Sequence, residues 1–289
     1  MDKPDVLASY AAVRARLEAR GLAPKKNFGQ NFLIDPFVLE KIVNASGMTS
    51  ESLAIEIGPG LGVLTAQLAA RAGQVVAVEI DAGLIPVLEE TLADFTNVRL
   101  INADVLKLDL GAIIREENRA NVQLAANLPY YITTPIIFHV LENHLPIESM
   151  TVMVQKEVAE RMRAKPSTKA YGAVTLAVQY YADVTLVANV PPHCFYPRPN
   201  VDSAVVKLTL LPTPRVAVRD KKLLFTLIHA AFSMRRKTLV NCLSACEDLH
   251  IEKAEASAML AACGLSESVR GEALDLSAFA RLTEAFLAR

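Results

Sequence analysis

The stretch Ala126-Asn127-Leu128-Pro129-Tyr130-Tyr131 gathers residue types suited to a reaction at an exocyclic amine. An amine such as adenine N6 is a poor nucleophile because its lone pair is delocalised into the ring. The Asn127 side-chain oxygen and the adjacent Leu128 carbonyl could both accept its hydrogens and favour a more pyramidal nitrogen. Pro129 would fix the turn presenting that carbonyl, and the Tyr130 ring could stack on a base. The same residues also suit an ordinary strand-end turn, where Asn and Pro are common. A second group lies upstream, in Glu56-Ile57-Gly58-Pro59-Gly60-Leu61-Gly62. Gly58 and Gly60 would let the backbone turn tightly and leave room for a ligand against the peptide groups. Val63 stands where a dinucleotide fingerprint requires its third glycine, and Pro59 removes an N–H, so nicotinamide binding is disfavoured. Glu79 ends the next apolar run, where a carboxylate can accept from both hydroxyls of a ribose. Asp104 follows the run after that and could accept from an adenine amine. Singly, each acid also reads as a solvated strand end or a helix cap.

These groups meet only if the intervening elements bring strand ends together. Short apolar runs at Leu53–Ile57, Val75–Val78, Val98–Ile101, Val122–Ala125 and Thr151–Val154 lack alternation, which suits strands buried on both faces. Helical patterns at Val63–Arg71, Gly83–Phe95, Leu110–Glu117 and Thr134–Glu142 separate them. Repeated βα units predict an α/β, doubly wound, Rossmann-like parallel sheet with its ligand crevice at the carboxyl ends of the strands. Two later runs, Val184–Val190 and Ala204–Leu210, could pair antiparallel at the sheet edge. Upstream, residues 5–20 read as an amphipathic helix, and Asp35-Pro36 as the start of a helix to about Ser46. Pro212-Thr213-Pro214 reads as a linker, and the pattern beyond Lys221 is helical, punctuated by Gly264 and Gly271. The expected organisation is a catalytic α/β domain over residues 1–211, with a helical N-terminal extension over 1–50, and a small helical domain over 212–289.

Composition narrows the function classes. Of 289 residues, 52% are hydrophobic and 21% charged, ample for a packed core and incompatible with a disordered chain. No stretch approaches the roughly 20 apolar residues of a membrane span, and the N-terminus lacks the apolar core of an export signal. Cys194, Cys242, Cys246 and Cys263 form no metal-ligand cluster and read as reduced thiols of a cytoplasmic protein. A net charge of −1 argues against a uniformly basic nucleic-acid binder. The basic groups are nevertheless clustered: Lys156, Arg161, Arg163, Lys165 and Lys169 in one segment, Arg235-Arg236-Lys237 in another. Such runs are usually solvated faces, but they also suit contact with a phosphate backbone.

Asn27-Phe28-Gly29-Gln30-Asn31-Phe32-Leu33, the E-I-G-P-G-L-G turn, Glu79, Asp104 and N-L-P-Y-Y stand in the order and spacing of the ribosomal RNA adenine dimethyltransferases. The match continues through Gln155–Arg161, Phe195–Ser203 and Arg235–Leu239, and it resembles the bacterial small-subunit enzymes most. The resemblance implies a seven-stranded methyltransferase sheet with a small C-terminal helical domain. It implies transfer of methyl groups from S-adenosyl-L-methionine to N6 of two adjacent adenosines near the 3′ end of 16S rRNA, in a small ribosomal subunit or its precursor. By position, Asn31 and Leu33 would close over the cofactor, and Gly58 and Gly60 would admit it. Glu79 would hold the ribose and Asp104 the adenine amine, with Ile80 and Val105 flanking the purine. The Asn127 amide would also bind the cofactor by facing its methyl. Asn127, Leu128, Pro129 and Tyr130 would carry the catalytic end, with Phe195 pressing the second face of the target base; as a residue type, Phe195 equally suits the core. Lys156, Arg161, Arg163, Arg235, Arg236 and Lys237 would meet RNA. The resemblance further implies a monomer that uses no metal and no membrane. Two other readings carry different substrates or none: a large-subunit (23S) rRNA adenine methyltransferase conferring macrolide resistance, and a mainly non-catalytic ribosome-assembly factor.

Overall fold

The computed structural model describes residues 9–25, 28–234 and 236–289. Asn27 of the N-terminal motif, Arg235 of the basic run and residues 5–8 of the expected first helix therefore lie outside the described residues. The chain forms two compact units, residues 1–159 with 183–210 and residues 160–182 with 211–289. The stretch 160–182, expected within a continuous first domain, thus belongs to the second unit, whose helices supply its buried partners.

The first unit is built on a seven-stranded sheet. Its strands are β2 (Ser52–Ile57), β3 (Gln74–Glu79), β4 (Val98–Asn102), β5 (Asn121–Asn127), β6 (Ser149–Gln155), β7 (Ala182–Val190) and β9 (Ser203–Leu210). They lie in the order β4-β3-β2-β5-β6-β9-β7. The first five are mutually parallel, with Ile55 beside Val76 on one side and Leu124 on the other. β9 runs antiparallel to β6, from Ser149 opposite Thr209 to Gln155 opposite Ser203. All six residues of β2 are buried, as a strand covered on both faces requires. Burying each of Leu53, Ile55 and Leu124, all 0% exposed, contributes about 1.5–3 kcal/mol against leaving it in water. β4 departs from the expectation of full burial: at the sheet edge, Val98–Ile101 are only half-buried.

Helices connect the parallel strands: α3 (Val63–Ala69), α4 (Ile85–Thr91), α5 (Leu110–Glu117) and α6 (Thr133–Glu142). Upstream stand α1 (Tyr10–Ala19) and α2 (Pro36–Ser46). The start of α2 follows the sequence signal, since the Asp35 carboxylate accepts from the N–H groups of Phe37 and Val38 and Pro36 occupies the first turn. A separate pair of two-residue strands joins β1 (Phe32–Leu33) to β8 (Phe195–Tyr196), antiparallel, with Leu33 opposite Phe195. Strand order reverses between β2 and β5, so the crevice of a doubly wound sheet falls above their carboxyl ends.

The second unit is helical: α7 (Lys156–Arg163), which enters it from β6, α8 (Ala173–Tyr181), α9 (Lys221–Ser233), α10 (Leu239–Ser244), α11 (Lys253–Ala262) and α12 (Leu276–Leu287). Leu224, Leu227 and Ile228 of α9 are fully buried, as are Leu243 and Phe279. Tyr171 ties the 160–182 stretch into this core, its hydroxyl donating to the Leu274 carbonyl at 2.7 Å and its ring meeting Phe232 edge-on.

Candidate active site

Twelve of the thirteen residues expected at the cofactor and catalytic positions line one cavity at the carboxyl ends of β2, β3, β4 and β5. Ten of them stand at the end of one of these strands or in the turn after it, whereas Asn31 and Leu33 come from the separate segment at Phe32–Leu33 and the residue before it. After β2 the chain turns through Gly58, Gly60 and Gly62, all in the left-handed region with φ of 69°, 61° and 80°. A Cβ at Gly60 would sit 3.0 Å from the Phe32 ring, so the glycine also allows β1 to approach. Glu79 ends β3 and is 5% exposed. Its two oxygens accept from the backbone N–H groups of Asp81 at 2.8 Å and Gly60 at 3.2 Å. Burial raises its carboxyl above the ordinary range, and the two N–H donors hold the rise in check. Beyond β4, Asp104 caps the short turn Val105–Lys107 by accepting from the Leu106 N–H at 3.1 Å, and its other oxygen stands 3.6 Å from the Lys107 ammonium. Val105 is buried against the cavity and Ile80 is exposed at its rim.

Asn127 ends β5. Its Nδ2 donates to the Asn31 carbonyl at 2.9 Å. A carbonyl can only accept, so this contact fixes which end of the amide points where and leaves Oδ1 as the available acceptor. The following turn is held by the Leu128 N–H donating to Met153 at 3.2 Å and the Thr133 hydroxyl donating to Pro129 at 3.0 Å. The Tyr130 hydroxyl is paired with Ser203 at 2.5 Å. Burial raises its pKa, with the Ser203 contact opposing the change. Tyr131, which sequence reading left without a role, lines the cavity mouth and is 56% exposed. Phe195 is the residue that does not join this group. It is 1% exposed, belongs to the hydrophobic core and stands opposite Leu33 in the β1–β8 pair.

Sequence reading also passed over Glu56, one residue before the end of β2. It lines the cavity yet is 1% exposed, and its Oε2 has no hydrogen-bond partner. Burial pushes its carboxyl up to about 8; Thr65 is near enough to soften the effect without reaching bonding geometry, and the charge of Glu79 adds to it. Its position just before the glycine turn was the one available signal. Between the ordinary carboxylate value of 4.5 and about 8, the folded protein holds a proton that the unfolded chain has released. Stability from this group is therefore lost as pH rises through that window. Glu56→Gln removes the titration. Urea unfolding is expected to show the variant and wild type alike near pH 4 and the variant more stable by about 2–5 kcal/mol above pH 8. A difference independent of pH would count against the buried acid.

The basic residues divide between the units. Lys156 lies in the first, 3.9 Å from Asp202 across an exposed pair. Arg161, Arg163, Arg236 and Lys237 are exposed in the second. Among the described residues no group of three or more His, Cys, Asp or Glu side chains could hold a metal, and no helix is long and apolar enough to cross a membrane. The four cysteines are free thiols.

The profile of the ribosomal RNA adenine dimethylases matches residues 21–271. The chain belongs to that family. Its relatives include the ribosomal RNA small subunit methyltransferase A of Lachnoclostridium phytofermentans, 52% identical over 262 residues that cover 90% of each chain. Among solved structures, a dimethyladenosine transferase from Plasmodium falciparum superposes with a TM-score of 0.73 at 26% identity, over 89% of this chain and 98% of that one. The 23S rRNA methyltransferase ErmE superposes with a TM-score of 0.67 at 25% identity, over 89% of this chain and 99% of that one. This dimethylase therefore carries the α/β fold class expected from its βα pattern, with the seven-stranded methyltransferase sheet that the family resemblance implied. Enzymes of this kind use S-adenosylmethionine.

Proposed function

We propose that this dimethylase transfers two methyl groups from S-adenosylmethionine to N6 of each of two adjacent adenosines near the 3′ end of 16S rRNA, within a small ribosomal subunit or its precursor. The observation that carries this reading is the 52% identity, over nine-tenths of both chains, to a protein named for the small subunit. Relatives from Geobacillus thermodenitrificans and Streptococcus pneumoniae, 49% and 48% identical over nearly the whole chain, carry the same small-subunit name.

The cavity's own chemistry fits such a cofactor. Glycines without a Cβ border it, Glu79 offers two carboxylate oxygens to a ribose, and Glu56 Oε2 stands in its lining without a hydrogen-bond partner. When bound, the cofactor supplies an electrophilic methyl on a positively charged sulfur. Asp104 would accept from its adenine amine, Ile80 and Val105 would flank the purine, and Asn31 and Leu33 would cover it. On the acceptor side, Asn127 Oδ1 and the Leu128 carbonyl would accept the hydrogens of N6, and Pro129 would hold that carbonyl in place. Tyr130 would stack on the base. Carbonyl acceptors suit a step in which positive charge develops on nitrogen, so positioning and electrostatic support do the work and a charged base is unnecessary.

Residues 1–159 with 183–210 would form the catalytic part, and the helical unit would add RNA contact through its exposed basic groups. The charge reversal Arg236→Glu with Lys237→Glu is expected to weaken RNA binding about 10-fold or more and to lower its salt slope by about 1–2, with cofactor affinity unchanged. An unaltered salt slope would remove these residues from the interface. The reading as a whole is tested by methyl transfer from labelled S-adenosylmethionine to small- and large-subunit particles lacking the modification. Label is expected in two adjacent adenosines near the 3′ end of the small-subunit RNA. Label confined to large-subunit RNA, or none in either, would overturn it.

A further inference from the structure

Asp81 is 4% exposed, yet it belongs to neither the glycine turn nor the catalytic turn. Three donors converge on its carboxylate: the Lys25 ammonium at 2.7 Å, the Gln30 amide at 2.9 Å and the Gly83 N–H at 3.0 Å. The Lys25 backbone N–H closes the group by donating to the Gln30 side-chain oxygen at 2.7 Å. Burial by itself would raise the Asp81 carboxyl, but the donors from Lys25, Gln30 and Gly83 outweigh it and hold the group below its ordinary value. The backbone N–H of the same residue donates to Glu79 Oε1. Asp81 is thus bonded at once to the carboxylate at the end of β3 and to the segment around Gln30.

That segment continues to the other side of the cavity. Asn31, the next residue after Gln30, accepts from Asn127 Nδ2 at the end of β5. β3 and β5 are not neighbours, for β2 lies between them. Two strand spacings separate their ends by about 10 Å. Residues 30 and 31 therefore bridge across the end of β2, above the glycine turn, with Phe32 against Gly60. Gly29 keeps the approach close on the β5 side, since a Cβ there would lie 3.2 Å from the Tyr131 ring.

We propose that Asp81 is a positioning residue for methyl transfer: through Gln30 and Asn31 it couples the ribose-binding end of the cavity to the orientation of the Asn127 amide. The inference rests on the function proposed above. Ligand held at Glu79 stabilises the bridged arrangement, and that arrangement leaves Asn127 Oδ1 directed at the acceptor amine. Coupling of this kind is reciprocal, so loosening the bridge weakens cofactor binding as well as the rate.

The test is an exchange across the Asp81–Gln30 contact in the full-length protein. Gln30→Glu sets a like charge against Asp81. It is expected to weaken S-adenosylmethionine affinity about 10-fold by calorimetric titration, and to slow single-turnover transfer at saturating cofactor about 10-fold as well. Adding Asp81→Asn restores a donor–acceptor pair, because an asparagine amide can donate to the new carboxylate, and both values are expected to return to within about 3-fold of wild type. Gln30→Ala removes the bonds without burying a like charge and is expected to move both values in the same direction by about 3–10-fold. A change in affinity with an unchanged single-turnover rate in both single variants would reduce the segment to a cover over the cofactor and overturn the coupling. A double variant no better than Gln30→Glu, with the far-ultraviolet circular dichroism of wild type, would overturn it too. If wild type binds the cofactor and methylates neither subunit, the functional reading falls, and recovery of affinity in the double variant still decides the contact.

Discussion

Asn127→Ala is expected to slow methyl transfer at saturating cofactor about 10²–10³-fold while lowering S-adenosylmethionine affinity no more than about 10-fold. The two effects separate because the amide sits at the end of β5, where its nitrogen is already spent on the Asn31 carbonyl and its oxygen is left for the acceptor amine. Removing that oxygen withdraws an acceptor whose hydrogen bond strengthens as charge builds on N6, an interaction made chiefly in the transition state. Loss of the Nδ2 bond leaves the Asn31 carbonyl without its partner, which accounts for a small effect on the cofactor side. Single-turnover rates and calorimetric titration of the same preparation check both halves. Equal losses of affinity and rate would place Asn127 among the cofactor contacts instead.

Glu79→Ala is expected to act in the opposite sense, with an affinity loss of about 10–100-fold as the dominant effect. The carboxylate does two tasks at once: it would accept from the ribose hydroxyls, and it accepts from the N–H groups of Gly60 and Asp81. Alanine orphans both donors, so the glycine turn loses an anchor along with the ligand contact. Glu79→Gln separates the two tasks. It keeps an acceptor for one backbone donor but offers the ribose a single oxygen, and it is expected to retain the melting temperature of wild type better than alanine does. Affinity unchanged in both variants would remove Glu79 from the ribose role.

Much of the sheet was legible because its strands are short, buried and punctuated by helix signals. The runs at Leu53–Ile57 and Val122–Ala125 recur inside β2 and β5, extended by one or two residues at their ends. The ends of strands carry the site, so Gly58, Glu79, Asp104 and Asn127 could be named before their geometry was known. Three features depended on contacts that no local pattern encodes. β1 and β8 pair two residues with two across more than 160 positions, too short to leave a periodic trace. Glu56 carries its raised pKa through burial, which is a property of the assembled sheet. Phe195 offers a flat aromatic suited to a base or to a core, and its burial opposite Leu33 follows from the same distant strand pair. The stretch 160–182 is similar: chain continuity suggests the neighbour in sequence, whereas Tyr171 bonds to Leu274 of the helical unit.

The placement of β9 between β6 and β7 has a consequence for the order in which the chain can mature on a translating ribosome. β6 is complete once residue 155 has emerged, but its second edge stays unpaired until residues 203–210 follow. In the interval the nascent chain exposes a strand edge of Met150, Val152 and Val154, a template for pairing with another chain. β7 emerges earlier than β9 and has no place in the sheet until β9 arrives. Slow synthesis between residues 155 and 210 would lengthen that exposure, and a truncation before Ser203 would make it permanent.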